Sequence, residues 1–213
     1  MTRIALASLI CAAGLAFPPG AWARPSFDCA KAQSVSEKEV CRVPELQWFD
    51  RQVSRLYAEV KAKGGASVVA DQRAFLARRE ACGANLECLE VAYGDRLKAI
   101  GKLSEITDAA GEFRPTTFGG SLWVVRFGFT AAIKILAVGD GGHTCVFETD
   151  NATQTGKGIL KAVEAAGRGA ACRLNVMADQ DDEDNLLVET HSCQSYCGVR
   201  AVMDGVYRRV PIR

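Results

Sequence analysis

The chain has no C-x-x-C pair and only two histidines, His143 and His191. A redox dithiol and a cysteine–histidine metal centre therefore lack their usual sequence signatures. Charge of one sign is also missing: the formal net charge is +1 over 213 residues. The balance is slightly basic before Ile106 and slightly acidic after Thr107, with no basic stripe interleaved with aromatics. That excludes recognition of nucleic acid by charge. The string Thr155-Gly156-Lys157-Gly158 lacks the G-x-x-x-x-G-K-[ST] spacing of a phosphate loop. There is no internal repeat and no low-complexity tract. Neither histidine adjoins a serine or cysteine in a nucleophile motif, and no carboxylate spacing argues for a glycosidase. The reading is a protein without catalysis, cofactor or metal.

A long apolar run is missing as well. Residues 4–17 are apolar, but the run is too short to cross a bilayer comfortably and ends at Pro18-Pro19-Gly20. With Arg3 before it and Ala21-Trp22-Ala23 after it, the segment reads as a signal peptide spanning residues 1–23. The residue before Cys11 is Ile10, a poor match to a lipidation site, so Cys11 reads as part of the apolar core lost on cleavage. Export then leaves eight of nine cysteines, an even number that reads as a disulfide framework in a periplasmic or secreted protein.

Cys29, Cys41, Cys82 and Cys88 lie in a helical stretch. Leu46, Phe49, Val53, Leu56, Tyr57 and Val60 recur at steps of three and four and mark one face of a helix. Gly64-Gly65 stops it. A second helix carries Val69, Phe75 and Leu76, and a third carries Leu89, Ala92, Tyr93, Leu97, Ile100 and Leu103. Ser34 and Ser36 each precede a glutamate by three, the capping-box pattern, and Pro44 suits a first helical turn. Antiparallel packing of the first two helices gathers the four cysteines at one end. The local closures Cys29–Cys41 and Cys82–Cys88 are favoured, with the cross-pairing Cys29–Cys88 and Cys41–Cys82 as the alternative. Asp50 and Arg79 are expected to face each other as an ion pair that sets helix register.

Two strings carry a family resemblance. The first holds Phe27-Asp28-Cys29, Glu37 or Glu39, Cys41, Pro44-Glu45-Leu46, Asp50 and Tyr57. The second holds Gln72, Phe75, Leu76, Arg79, Cys82, Cys88, Tyr93 and Arg96-Leu97. Together they resemble the LprI-type lysozyme inhibitor domain across roughly eighty residues, with Phe75 where some members carry Trp. The resemblance implies a lysozyme as partner. It makes Asp50, Tyr57, Gln72, Arg79, Tyr93 and Arg96 structural motif residues.

After residues 24–106 the period is lost. Residues 107–121 hold three glycines and a proline and read as a linker. Short strands are then expected at 122–129, 133–138, 143–148, 159–163, 172–177, 186–190 and 206–210. Their spacing suggests an antiparallel sandwich or small barrel over residues 122–213. The fold class is thus α+β, a disulfide-stapled three-helix domain followed by a β domain. Cys145, Cys172, Cys193 and Cys197 staple the second part, with three pairings open. The ending Cys193, Cys197-Gly198, Arg200-Ala201, Asp204-Gly205 and Tyr207 resembles a tail of two-domain relatives of the same inhibitors. Asp179, Asp181, Asp182, Glu183 and Asp184 crowd a hairpin tip without the central glycine of a calcium loop. Asp181, Asp182, Glu183 and Asp184 are candidates for steering a cationic partner. The expected function is inhibition of lysozyme by blocking its cleft. The alternatives are an envelope interaction or stress-response module, or a small-ligand carrier if the β domain has an open apolar mouth.

Overall fold

A computed structural model describes residues 24–211, apart from residues 105, 107, 108, 157, 166–169 and 183. The expected signal peptide lies outside the described residues. Among the described residues three α-helices, α1 (Val35–Arg42), α2 (Pro44–Ala81) and α3 (Leu86–Gly101), precede eight strands. Among the described residues no helix is long and apolar enough to cross a membrane.

Ser34 caps α1 through a complete capping box, its hydroxyl accepting from Glu37 N–H while Glu37 accepts from the Ser34 N–H. Ser36, the other capping candidate, is buried inside α1. Pro44 opens α2, and Asn85 caps α3 by accepting from the Cys88 N–H. α2 is not straight. Tyr93 packs on both Phe49 and Phe75. Those two are 26 residues apart and would be about 39 Å apart along a straight helix. The reversal comes at Gly65, whose φ of 60° and ψ of −148° are non-helical and open to glycine without steric cost. α2 therefore forms two antiparallel arms, with α3 packed on both. The local closures Cys29–Cys41 and Cys82–Cys88 are the disulfides formed there.

The strands are β1 (Ala110–Pro115), β2 (Gly119–Phe127), β3 (Thr130–Val138), β4 (Thr144–Gln154), β5 (Leu160–Glu164), β6 (Cys172–Ala178), β7 (Leu186–His191) and β8 (Gly205–Arg209). Each pairs antiparallel with its sequence neighbour, and β1 pairs with β8 to close a barrel. The seven expected strands are all present, though β4 runs to Gln154 where the expected strand ended at Glu148. The expected linker is corrected: β1 and the start of β2 occupy most of residues 107–121. Gly120 is required where β2 begins. Its φ is +118°, and a Cβ there would lie 1.9 Å from the Leu136 carbonyl oxygen.

Strand alternation divides the barrel wall into two apolar surfaces. Phe113, Leu122, Val124, Ile133, Ile135, Phe147, Leu174, Val188 and Tyr207 belong to one interior cluster. That interior is filled by side chains, the arrangement an eight-stranded barrel of this size permits. Trp123, Val125, Phe127 and Ala132 alternate with these residues and face outward, where the helices cover them as part of a second cluster. This explains the unbroken apolar run at 122–125, since both faces of β2 are buried. Cys145–Cys197 and Cys172–Cys193 tie the β7–β8 connection to β4 and β6. Four disulfides point to an oxidising compartment.

Candidate functional site

Three places collect polar side chains. The first is the cysteine end of the helical part. Asp50 is buried and accepts from the Tyr93 hydroxyl at 2.9 Å and from the Ser26 N–H at 2.6 Å. Arg79, also buried, pairs with Glu80 at 2.7 Å and Glu37 at 3.6 Å. The expected Asp50–Arg79 ion pair is thus replaced: Tyr93 satisfies Asp50, and two glutamates satisfy Arg79. Burial raises the Tyr93 pKa, and the Asp50 carboxylate adds to it, so the phenol stays a donor. Hydrogen bonds from the Gln33 and Ser34 N–H groups lower the Glu37 pKa. Burial raises that of Glu80, but hydrogen bonds from Ser34, Arg79 and Ser36 outweigh it and the net direction is down. Gln72 accepts from Arg96 at 3.0 Å, joining α2 to α3, and Tyr57 lies half-buried in the same bundle. All six motif residues are therefore internal or partly internal braces. Their contacts are internal to the scaffold.

The second place is the seam between helices and barrel, which sequence reasoning did not anticipate. Phe49 meets Trp123 edge-on with ring centroids 5.2 Å apart, and the Arg55 guanidinium lies 3.7 Å from the centre of the Phe127 ring. A bulge between β3 and β4 re-aims the wall near Asp150. Asp150 accepts from Arg51 at 3.1 Å and Gln52 at 2.7 Å. Lys134, only 5% exposed, pairs with Glu148 and with Glu45 of α2. Lys98 of α3 reaches Glu112 of β1 at 3.4 Å. Beside these pairs runs a cleft lined by Glu45, Glu90, Lys98, Glu112, Trp123 and Lys134. Glu90 is exposed as a residue, but partial desolvation of its carboxyl beside the cleft raises its pKa, and the nearby Glu45 charge adds to it. One sequence signal for the seam exists: Lys134 is a charge set inside the apolar run 131–138.

The third place is the loops at the two barrel ends. The acidic tip joins β6 to β7, where Asp182 accepts from the Asp184 N–H and the Asn185 amide. Asp181, Asp182 and Asp184 are exposed there, and Glu183 lies outside the described residues. The opposite end carries the 139–143 loop and the β7–β8 connection, joined by Cys145–Cys197. His143 and His191 are exposed on separate segments. Among the described residues no group of three or more His, Cys, Asp or Glu is placed to hold a metal ion.

These features define a mixed α+β protein: a helical layer packed on the outer wall of a closed antiparallel barrel, stapled by four disulfides. Comparison with protein-family models, curated proteins and solved structures finds no match.

Proposed function

We propose that this chain is an exported, non-enzymatic binding protein, periplasmic or secreted, that inhibits lysozyme by blocking its cleft. The observation that carries the reading is the convergence of the resemblance motif. Asp50 bonds to Tyr93, Gln72 bonds to Arg96, and the Arg79 guanidinium lies 6.0 Å from the centre of the Phe27 ring. Residues far apart in sequence thus have a common physical task in one bundle, as a family scaffold requires. Because helices and barrel share a core, the inhibitory unit is the whole mature chain rather than residues 24–106 alone. A lysozyme's two cleft carboxyl groups flank the bond it cuts, and a cationic or hydrogen-bonding group lodged between them blocks hydrolysis.

A second reading is an envelope interaction or stress-response module without a lysozyme target. It is favoured by Phe129, 85% exposed at the β2–β3 hairpin tip. The carrier alternative draws little support from an interior filled by Phe147, Tyr207 and their neighbours. Cell-wall lysis by purified lysozymes, with and without the mature chain, separates the two readings. Inhibition at stoichiometric concentrations is the expected result. Undiminished lysis with every lysozyme tried overturns the first reading and leaves the second.

A further inference from the structure

The β7–β8 connection departs from ordinary backbone at a non-glycine residue. Residues 198–201 form a tight turn, with the Ala201 N–H donating to the Gly198 carbonyl at 3.1 Å. Arg200 occupies its third position with φ of +62°, a left-handed conformation that glycine takes freely and arginine does not. A non-glycine residue held there persists where the surroundings over-determine it, and such residues cluster at functional sites.

The surroundings do over-determine it. Cys197 is joined to Cys145, and the Gly198 N–H donates to the Thr144 carbonyl at 2.8 Å. On the far side Ala201 and Met203 are buried, and the Tyr207 hydroxyl holds the Met203 carbonyl at 2.8 Å. Between these anchors everything faces outward. Val199 is 69% and Val202 53% exposed, and Arg200 is exposed with no ion pair among the described residues. The result is a rigid convex tip: a free guanidinium flanked by two exposed valines.

We propose that this turn is the docking surface for the glycosidase cleft, with the Arg200 guanidinium set between the cleft's two carboxyl groups. The inference rests on the inhibitor reading above and supplies the contact that the internal motif residues do not. Glycosidase carboxyl pairs stand about 5–9.5 Å apart. A planar fork of five N–H donors, with bonds of about 2.8 Å on either side, spans such a gap. The valines supply apolar contact at the rim. Because the turn is already held by its anchors, little conformational freedom is lost on binding.

The test uses the full mature chain and its R200G and R200E variants in the lysis assay, with thermal melting of each. R200G keeps the turn, removes the cation and relieves the steric cost of the positive φ. It should melt at or above the wild-type temperature while inhibiting about 30-fold less well or worse. R200E should inhibit no better than R200G, and R73E, a charge reversal on exposed α2 surface, should inhibit like wild type. If R200G and R200E inhibit as wild type does, the turn is not the docking surface and the inhibitor reading stands. If wild type itself inhibits no lysozyme, both fall.

Discussion

Single buried side chains carry much of this structure. Asp50 is 6% exposed, with the Tyr93 hydroxyl as its side-chain donor. Tyr93→Phe removes that donor at constant shape, so the mutant should lose about 1–3 kcal/mol in denaturant unfolding. Glu37 and Glu80 have folded pKa values below their ordinary 4.5. Each therefore contributes stability above 4.5 that is lost as pH falls through the lower folded value. An E37Q/E80Q double mutant should lose less stability than wild type between about pH 6 and about pH 3. Glu90 has the opposite sign. Its raised pKa means its charge is disfavoured in the folded state, a penalty that grows as pH rises through the folded value. Glu90→Gln should therefore leave the neutral-pH midpoint unchanged or slightly higher.

At the scale of elements, the decisive segment is β1. It pairs with β2 on one side and β8 on the other. Its backbone N–H and C=O groups are thus committed to the barrel. Amide exchange across residues 110–114 should be slow, and limited proteolysis should spare that segment; early cleavage there would mean that the barrel is open. The turn into β2 depends on Gly120. Gly120→Ala places a methyl against the Leu136 backbone as well as forcing φ of +118°. The variant should lose about 2–4 kcal/mol, and a melting temperature equal to wild type would contradict the closure described.

For the whole molecule, the shared core sets the expectation. Phe49, Val53, Leu97 and Ile100 from the helices pack with Trp123, Val125 and Phe127 from the wall. Calorimetry should show one cooperative transition, with calorimetric and van't Hoff enthalpies equal. An isolated 24–106 fragment would expose that face and should be aggregated or poorly structured. All eight cysteines of the described residues are paired, so thiol titration of the denatured, unreduced 24–213 chain should find none. The acidic tip is separated from the Arg200 turn by the six residues of β7, about 20 Å of strand and beyond the screening length at physiological salt. On the proposed lysozyme-binding reading, neutralising Asp181, Asp182, Glu183 and Asp184 should therefore slow association at low salt, with little change at physiological salt or in dissociation.

What the sequence determined by itself was what depends on near neighbours. The helical face from Leu46 to Val60, the Ser34 capping box, the break at Gly65 and seven of the strands follow from period, caps and turns within a few residues. Cysteine spacing favours the local closures Cys29–Cys41 and Cys82–Cys88 over the cross-pairing Cys29–Cys88 and Cys41–Cys82 without deciding between them, and the structure forms the local closures. Tertiary structure decided the rest. β1, with sequence Ala-Gly-Glu-Phe-Arg-Pro, carries a glycine and a proline and has no strand signature of its own; it is a strand because β8, over ninety residues later, completes its hydrogen bonds. The partners of Asp50 and Arg79, the burial of Lys134 at the seam and the left-handed Arg200 depend likewise on chain segments brought together at long range. Local preferences act along the chain, whereas buried charge must be satisfied by whatever the closed fold places beside it.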